Sequence, residues 1–178
     1  MKKLVLAVLL TGVLASARAD IVPFTLTLDG SNAGTGSPAT GSGLYIAYDT
    51  DTQILSLVAG YGSGTGGIDL VGDFTVSHIH NADTSVFQGL DNLPFPGGST
   101  KSGLLTGTID YSGSASAQAE LLSGVQYVNV HSSTNPGGEI SGNLTPVPEP
   151  TVLALAGLGI SSLLIFRGIA DLDLVAHR

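Results

Sequence analysis

The central part of the chain alternates short apolar stretches with turns rich in glycine and asparagine. β-Branched and aromatic residues recur in seven runs, at residues 21–28, 44–48, 53–59, 70–80, 104–111, 125–131 and 139–144. Turn clusters such as residues 30–34 and 135–138 separate the runs, and Gly and Pro allow the chain to reverse there. Seven or eight short antiparallel strands at this spacing predict an all-β fold, a Greek-key β-sandwich or barrel. One short helix is expected at residues 115–122.

The N-terminal end has the three parts of a secretory signal. Lys2 and Lys3 precede an apolar stretch at residues 4–14, and Ala17-Arg18-Ala19 fits the small-x-small cleavage rule. The apolar stretch is too short to cross a hydrocarbon core of about 30 Å. We therefore predict a signal peptide at residues 1–19, removed by signal peptidase next to Ala17 and Ala19.

The C-terminal end, residues 146–178, combines a proline-rich spacer with an apolar stretch at 151–166 that predicts a hydrophobic helix. The succession of Pro148, Glu149 and Pro150, the apolar stretch and Arg167 resembles the PEP-CTERM sorting signal of bacteria that make extracellular polysaccharide. The resemblance implies recognition by an exosortase-type protease. It also implies a membrane anchor through the C-terminal helix before processing. The expected location is therefore the cell surface or the extracellular space, with one β domain at residues 20–145.

Charge narrows the classes of partner. Residues 20–150 hold twelve acidic side chains and one basic side chain, Lys101. A nucleic-acid interface needs a stripe of Lys and Arg to displace counterions, so this class of ligand is excluded. The chain has no cysteine, which removes thiolate chemistry. No catalytic set is evident in the sequence, so we expect a protein that is not an enzyme and has no cofactor.

Three of the four histidines form the strongest candidate site. His78 and His80 end one predicted strand, and His131 ends another. Residues two apart in a strand share a face, so the first two imidazoles are expected to project together. A third imidazole from a neighbouring strand would complete a set suited to Zn²⁺ or Cu²⁺. Asp83 or Glu139 could add a carboxylate ligand or a hydrogen-bond acceptor.

The alternative is that these histidines are structural. Phe74 and Val76 share the parity of His78, which predicts that this face points inward and that His78 is a buried, hydrogen-bonded imidazole. The sequence leaves both interpretations open. Convergence of the three imidazoles on one point would favour the metal.

The same residues carry a second resemblance. The segments His-Ile-His-Asn-Ala at 78–82, Tyr-Val-Asn-Val-His-Ser at 127–132 and Asn-Pro-Gly-Gly-Glu-Ile-Ser-Gly-Asn-Leu at 135–144 are similar to the CHRD (chordin-type) domain. The resemblance implies an all-β extracellular module, secreted or tethered to the bacterial surface. The expected role is non-enzymatic, in association with exopolysaccharide or other surface proteins. The alternative role is binding of Cu or Zn through His78, His80 and His131.

Overall fold

The computed structural model describes residues 20–95 and 99–148, which form a sheet of antiparallel strands with one short α-helix and one 3₁₀ turn at Ser63–Thr65. Eleven strands are present in these ranges: β1 (Ile21–Thr25), β2 (Thr27–Asp29), β3 (Thr40–Asp49), β4 (Ile54–Tyr61), β5 (Phe74–His80), β6 (Val86–Gly89), β7 (Asp91–Pro94), β8 (Gly103–Asp110), β9 (Tyr127–Ser132), β10 (Ile140–Asn143) and β11 (Thr145–Pro146). The helix α1 spans Ala115–Ser123.

The sheet curls into a nearly closed barrel. Its strand order is β6-β5-β9-β10-β2-β3-β4-β8-β7, and β1 pairs with β3 and β11 beside this path. The two edge strands are consecutive in the chain. β6 pairs with β5, β7 pairs with β8, and Leu90 between them donates its N–H to the Ser77 carbonyl at 3.0 Å. Residues 86–94 therefore connect the two edges, which leaves few backbone groups unpaired.

The barrel interior follows from the alternation of buried and exposed side chains, which is clearest in β4. In β4 the side chains of Leu55, Leu57 and Ala59 are buried, while Ser56 and Val58 are partly exposed between them. Successive side chains of a strand point to opposite faces, so this pattern places every second residue in the core. The expected all-β barrel or sandwich is confirmed.

The helix α1 adds two side chains to this core. Ser114 caps its N-terminus by accepting a hydrogen bond from the Ala117 N–H, and Gly124 ends it with a positive φ of 75°. Ala117 and Leu121 are buried in the main cluster. The helix expected at 115–122 is confirmed.

The structure differs from the predicted strands in several places. The described residues form more strands than the seven or eight expected, because run 21–28 divides at Leu26, residues 86–94 add β6 and β7, and residues 145–146 add β11. Residues 70–73 are not part of a strand, since the N–H groups of Val71 and Gly72 donate to the Glu139 carboxylate instead. A short stretch with its donors occupied in this way cannot join a ladder.

The predicted signal peptide at 1–19 and the predicted helix at 151–166 lie outside the described residues. Within residues 20–95 and 99–148, no helix has the length and apolar character needed to cross a membrane.

Candidate metal centre

The histidines of β5 lie on the outer face of the barrel, and the inward orientation inferred for His78 is wrong. The register between β5 and β9 shifts between Phe74 and Val76, so Thr75 is an extra residue in β5. Phe74 packs against the core and stacks on Tyr61, whereas Val76 is 40% exposed. Such a bulge reverses the parity that regular alternation predicts. Ser77 and Ile79 consequently point inward, and His78 and His80 point outward.

Strand β9 brings the third histidine to the same face. His131 lies opposite Val76, Asn129 opposite His78, and Tyr127 opposite His80. Nδ1 of His78 is 3.3 Å from Nε2 of His131. One ring nitrogen from each of the three histidines lies within 4.8 Å of the other two. The structure thus brings together all three histidines predicted from the sequence.

Two of the imidazoles are oriented by backbone carbonyls. Nδ1 of His131 lies 2.7 Å from the Pro136 oxygen, and Nδ1 of His80 lies 2.9 Å from the Thr84 oxygen. A carbonyl only accepts, so Nδ1 carries the proton in both rings and Nε2 keeps a free lone pair when the ring is neutral. Metal-ligating histidines are typically held in this way, with the other ring nitrogen donating to a carbonyl or carboxylate.

The Nε2 of His80 is buried and has no hydrogen-bond partner in the described part of the chain. Its ring is 8% exposed and stacks on Tyr127, with centroids 4.9 Å apart and planes 7° from parallel. An unpaired buried nitrogen costs about 1–3 kcal/mol unless another group binds it. A metal ion in contact with this lone pair would remove that cost.

The electrostatics favour a neutral imidazole at His78. Burial lowers the pKa of His78, and the positive charge that His131 and His80 would carry lowers it further. A histidine must be deprotonated on the coordinating nitrogen to bind a metal, so this shift favours coordination.

One separation among the three ring nitrogens matches a tetrahedral transition-metal site. Tetrahedral coordination with metal–nitrogen bonds of about 2.1 Å separates two ligand nitrogens by about 3.4 Å. The 3.3 Å between His78 Nδ1 and His131 Nε2, which form a hydrogen bond in this structure, is close to that edge, and the three nitrogens lie within 4.8 Å of one another. Imidazole ligands suit Zn²⁺ and Cu²⁺ better than the hard cations Ca²⁺ and Mg²⁺.

The carboxylates suggested as additional ligands have other partners. Asp83 accepts from the backbone and side chain of Ser85. Glu139 is buried, and its carboxylate accepts from Ser37, from Ser132 and from the backbone of residues 71–72. Neither belongs to the group of side chains that converges on the histidines in the described ranges.

Sequence reasoning did not identify the groups that hold the histidines. The Pro136 carbonyl belongs to a turn that the Asn-Pro-Gly-Gly sequence did indicate, but its contact with His131 depends on how that turn folds over the sheet. Thr84 has a positive φ of 70°, which is unusual for a β-branched residue and which no local sequence signal indicates.

The predicted processing residues contribute little to the described structure. Pro148 is exposed beyond the last strand, and Ala17, Ala19, Glu149, Pro150 and Arg167 lie outside the described residues.

Comparison with known proteins gives one match. The CHRD domain family matches residues 24–144, which include all three histidines and nearly the whole barrel. The chain belongs to the CHRD domain family. Comparisons with curated proteins and with solved structures gave no match. In this CHRD domain the two most specific sequence segments, at 78–82 and 127–132, are therefore adjacent in space, on neighbouring strands β5 and β9.

Proposed function

We propose that this CHRD domain binds one divalent transition-metal ion, Cu²⁺ or Zn²⁺, through His78, His80 and His131. The observation that supports this most strongly is the convergence of three ring nitrogens within 4.8 Å of one another. Two of the rings have their lone pairs directed by carbonyls at Pro136 and Thr84. The buried, unpartnered nitrogen of His80 adds an independent reason for a ligand at this point.

The proposed setting is the bacterial cell surface. The signal-like sequence at 1–19 and the sorting-like sequence at 148–167 support export, with processing by signal peptidase and an exosortase-type protease. The role proposed there is binding rather than catalysis, either in the exopolysaccharide matrix or with other surface proteins. The acidic composition of residues 20–150 supports a cationic ligand.

Metal content of the purified chain tests the proposal. The full chain in mild detergent is stripped with a chelator, titrated with Cu²⁺ or Zn²⁺, desalted and assayed for metal per chain. We expect about one ion per wild-type chain, as three-histidine sites bind. His80→Ala and His131→Ala should lose the ion, whereas His177→Ala, which removes the histidine outside residues 20–148, should keep it.

The electron paramagnetic resonance spectrum of the Cu²⁺ form gives a second readout. Coupling to three imidazole nitrogens is expected in the wild type and in His177→Ala, and any residual Cu²⁺ in His80→Ala or His131→Ala should couple to two. Metal content near zero in the wild type, or equal content in wild type and His80→Ala, would refute the proposal and leave the histidines structural.

A further inference from the structure

We infer that Asn129 supplies the fourth ligand of this metal centre, through its side-chain oxygen Oδ1. This inference rests on the proposed metal binding and specifies its coordination as three nitrogens and one oxygen. The first observation is that two buried polar atoms without hydrogen bonds lie on the same face of the sheet. In the described ranges, the buried side-chain polar atoms without a hydrogen bond are His80 Nε2 and Asn129 Oδ1. Both belong to the outer face of the β5–β9 pair.

The position of Asn129 in the ladder places it under the converging imidazoles. It lies directly opposite His78, and side chains opposite one another in an antiparallel pair have Cβ atoms about 4.5–5.5 Å apart. It also lies two residues from His131 on the same face of β9. Asn129 is thus the direct cross-strand neighbour of His78 and the next residue on the same face of β9 from His131.

The position of His80, the third histidine, also indicates the row of the sheet that contains Asn129. His80 lies opposite Tyr127, four residues from His131 and thus about 13 Å from it along the strand. The coordinating nitrogens of His80 and His131 nevertheless lie within 4.8 Å of each other. The two side chains must therefore lean toward each other over the row of the sheet between them, which is the row of His78 and Asn129. Asn129 is only 8% exposed on this outer face, where Gly138 of the β9–β10 loop also lies against its side-chain amide.

The amide is held with its oxygen available. Nδ2 of Asn129 donates to the Gly137 carbonyl at 3.2 Å, which fixes the orientation of the side chain. Its oxygen is an acceptor without a donor among the described residues, so its lone pairs are available to a metal ion. The side-chain carbonyl of Asn is a neutral ligand, so the ion would keep its full positive charge in the site.

A depression in the protein surface borders Asn129. It has a volume of about 340 Å³ and is lined by Tyr127 and Asn129 on β9 and by Ser141 and Asn143 on β10. The described residues that line it are uncharged and polar or small. Asn129 therefore borders both the depression and the histidines.

Three variants of the full chain in detergent separate the oxygen ligand from other effects. Asn129→Ala and Asn129→Asp both remove the hydrogen bond to Gly137, but only the aspartate keeps an oxygen at the site. Asn143→Asp adds the same negative charge to the depression, but at a position on β10. This variant serves as the control for charge. The probes are Zn²⁺ for affinity and Co²⁺ for its visible absorption spectrum, which reports coordination number and ligand type.

We expect Asn129→Ala to weaken Zn²⁺ binding by at least about tenfold and to change the Co²⁺ spectrum. Asn129→Asp should bind at least as tightly as the wild type, and Asn143→Asp should retain the wild-type Co²⁺ spectrum. If Asn129→Ala keeps both affinity and spectrum while His131→Ala loses binding, the metal centre stands and the fourth ligand is refuted. If the wild type binds neither Zn²⁺ nor Cu²⁺, the proposed function itself fails. Circular dichroism of each variant establishes that the β fold is retained.

Discussion

Glu139 shows how one buried side chain joins distant parts of the barrel. Its carboxylate is fully buried and accepts hydrogen bonds from Ser37 Oγ at 2.8 Å, from the Val71 N–H at 2.6 Å, and from Gly72 and Ser132. These donors belong to the β2–β3 loop, to the segment before β5 and to the end of β9. Four donors replace the water that the charge loses, so the buried anion needs no cation beside it.

Replacing Glu139 with Gln should destabilise the domain, most strongly at neutral pH. Burial by itself raises the pKa of Glu139, but the hydrogen bonds from Ser132, Val71, Ser37 and Gly72 outweigh it and lower that pKa below its usual value. The folded state therefore prefers the charged form. This stabilisation is complete above the unfolded-state pKa and is lost as the pH falls through the lower folded-state pKa. We expect Glu139→Gln to cost about 1.5–3 kcal/mol of unfolding free energy at pH 7, as charged hydrogen bonds do.

Chemical denaturation at pH 7 and at pH 3 measures this effect. The difference between wild type and variant should shrink at pH 3. Asp110→Asn is the matched control, because its exposed carboxylate bonds only to neighbouring Ser112 and its removal should change stability by less than about 0.5 kcal/mol. An equal loss in both variants, or a Glu139→Gln chain as stable as the wild type, would contradict the proposed role.

Single residues also show which features of the site could be predicted from the sequence and which could not. The histidines could be identified because imidazoles are rare and their spacing in a strand is informative. The orientation of His78 could not, since one extra residue at Thr75 reverses the parity, and the bulge is defined only by pairing with β9. The role of Glu139 could not be inferred either, because its donors lie up to 102 residues away in the chain.

At the scale of elements, the hairpin loop between β9 and β10 supports the metal centre. The Pro136 carbonyl orients His131, and the Gly137 carbonyl accepts from Asn129. Gly138 has a positive φ of 120°, and a Cβ there would lie 2.2 Å from Oδ1 of Asn129. A side chain at 138 would therefore be strained and would push the loop away from the sheet.

We expect Gly138→Ala to lower both stability and metal affinity, whereas Gly137→Ala should change neither appreciably. A Cβ at Gly137 meets nothing within 4 Å, which makes it a control in the same loop. The cost at 138 should be at least about 1–2 kcal/mol, from the unfavourable φ alone. Thermal unfolding and Zn²⁺ titration measure the two effects. Equal behaviour of the two variants would show that the loop tolerates displacement and does not position His131.

The β5–β6 connection has a comparable role for His80. Its Thr84 carbonyl accepts from His80, and Thr84 adopts a positive φ of 70°. The strain of this conformation is relieved in glycine, because the steric conflict comes from Cβ. The turn is closed by hydrogen bonds between the backbones of Asn81 and Ser85 and of Thr84 and Asn81.

Thr84→Gly should therefore keep metal affinity and keep or raise stability, by up to about 1 kcal/mol. Ala82→Gly is the control in the same turn. It should lower the free energy of unfolding by about 0.5–1 kcal/mol, because the glycine there only increases the conformational entropy of the unfolded chain. Urea denaturation of both variants checks the sign. If Thr84→Gly is the less stable of the two, the side chain at 84 contributes more than its strained backbone costs.

Strands in which apolar and polar residues alternate clearly could be predicted from the sequence, and strands without this alternation could not. β4 and β8 have a clear period of two, and their positions were close to those expected. β6 and β7 were missed because Val86–Gly89 has no alternation and Pro94 is typical of a loop. They are strands because the barrel supplies an open edge on each side, β5 for one and β8 for the other. That information is long-range and is not contained in the local pattern.

At the scale of the whole molecule, the proposed function requires export, since a metal-binding module of the cell surface must first leave the cytoplasm. The signal peptide proposed at residues 1–19 has the features that this requires. In such a peptide, positive residues like Lys2 and Lys3 favour retention of the start of the chain on the cytoplasmic side, and the apolar stretch after them enters the membrane. Small side chains at Ala17 and Ala19 are those that signal peptidase accepts next to the cleaved bond.

We predict that the full chain, produced in a bacterial host, is cleaved between Ala19 and Asp20 and is recovered outside the cytoplasm. Ala19→Leu should block cleavage, because the large side chain does not fit the small-x-small rule, and the chain should stay attached to the membrane by its uncleaved N-terminus. Ala7→Leu changes the same residue type within the apolar stretch and should be cleaved normally. N-terminal sequencing and cell fractionation of the three chains measure the outcome. Recovery of uncut wild-type chain in the cytoplasm would remove the basis for a surface role. The metal content of the same purified chain would still report on the histidine site. The proposed export and the proposed metal binding can therefore fail separately.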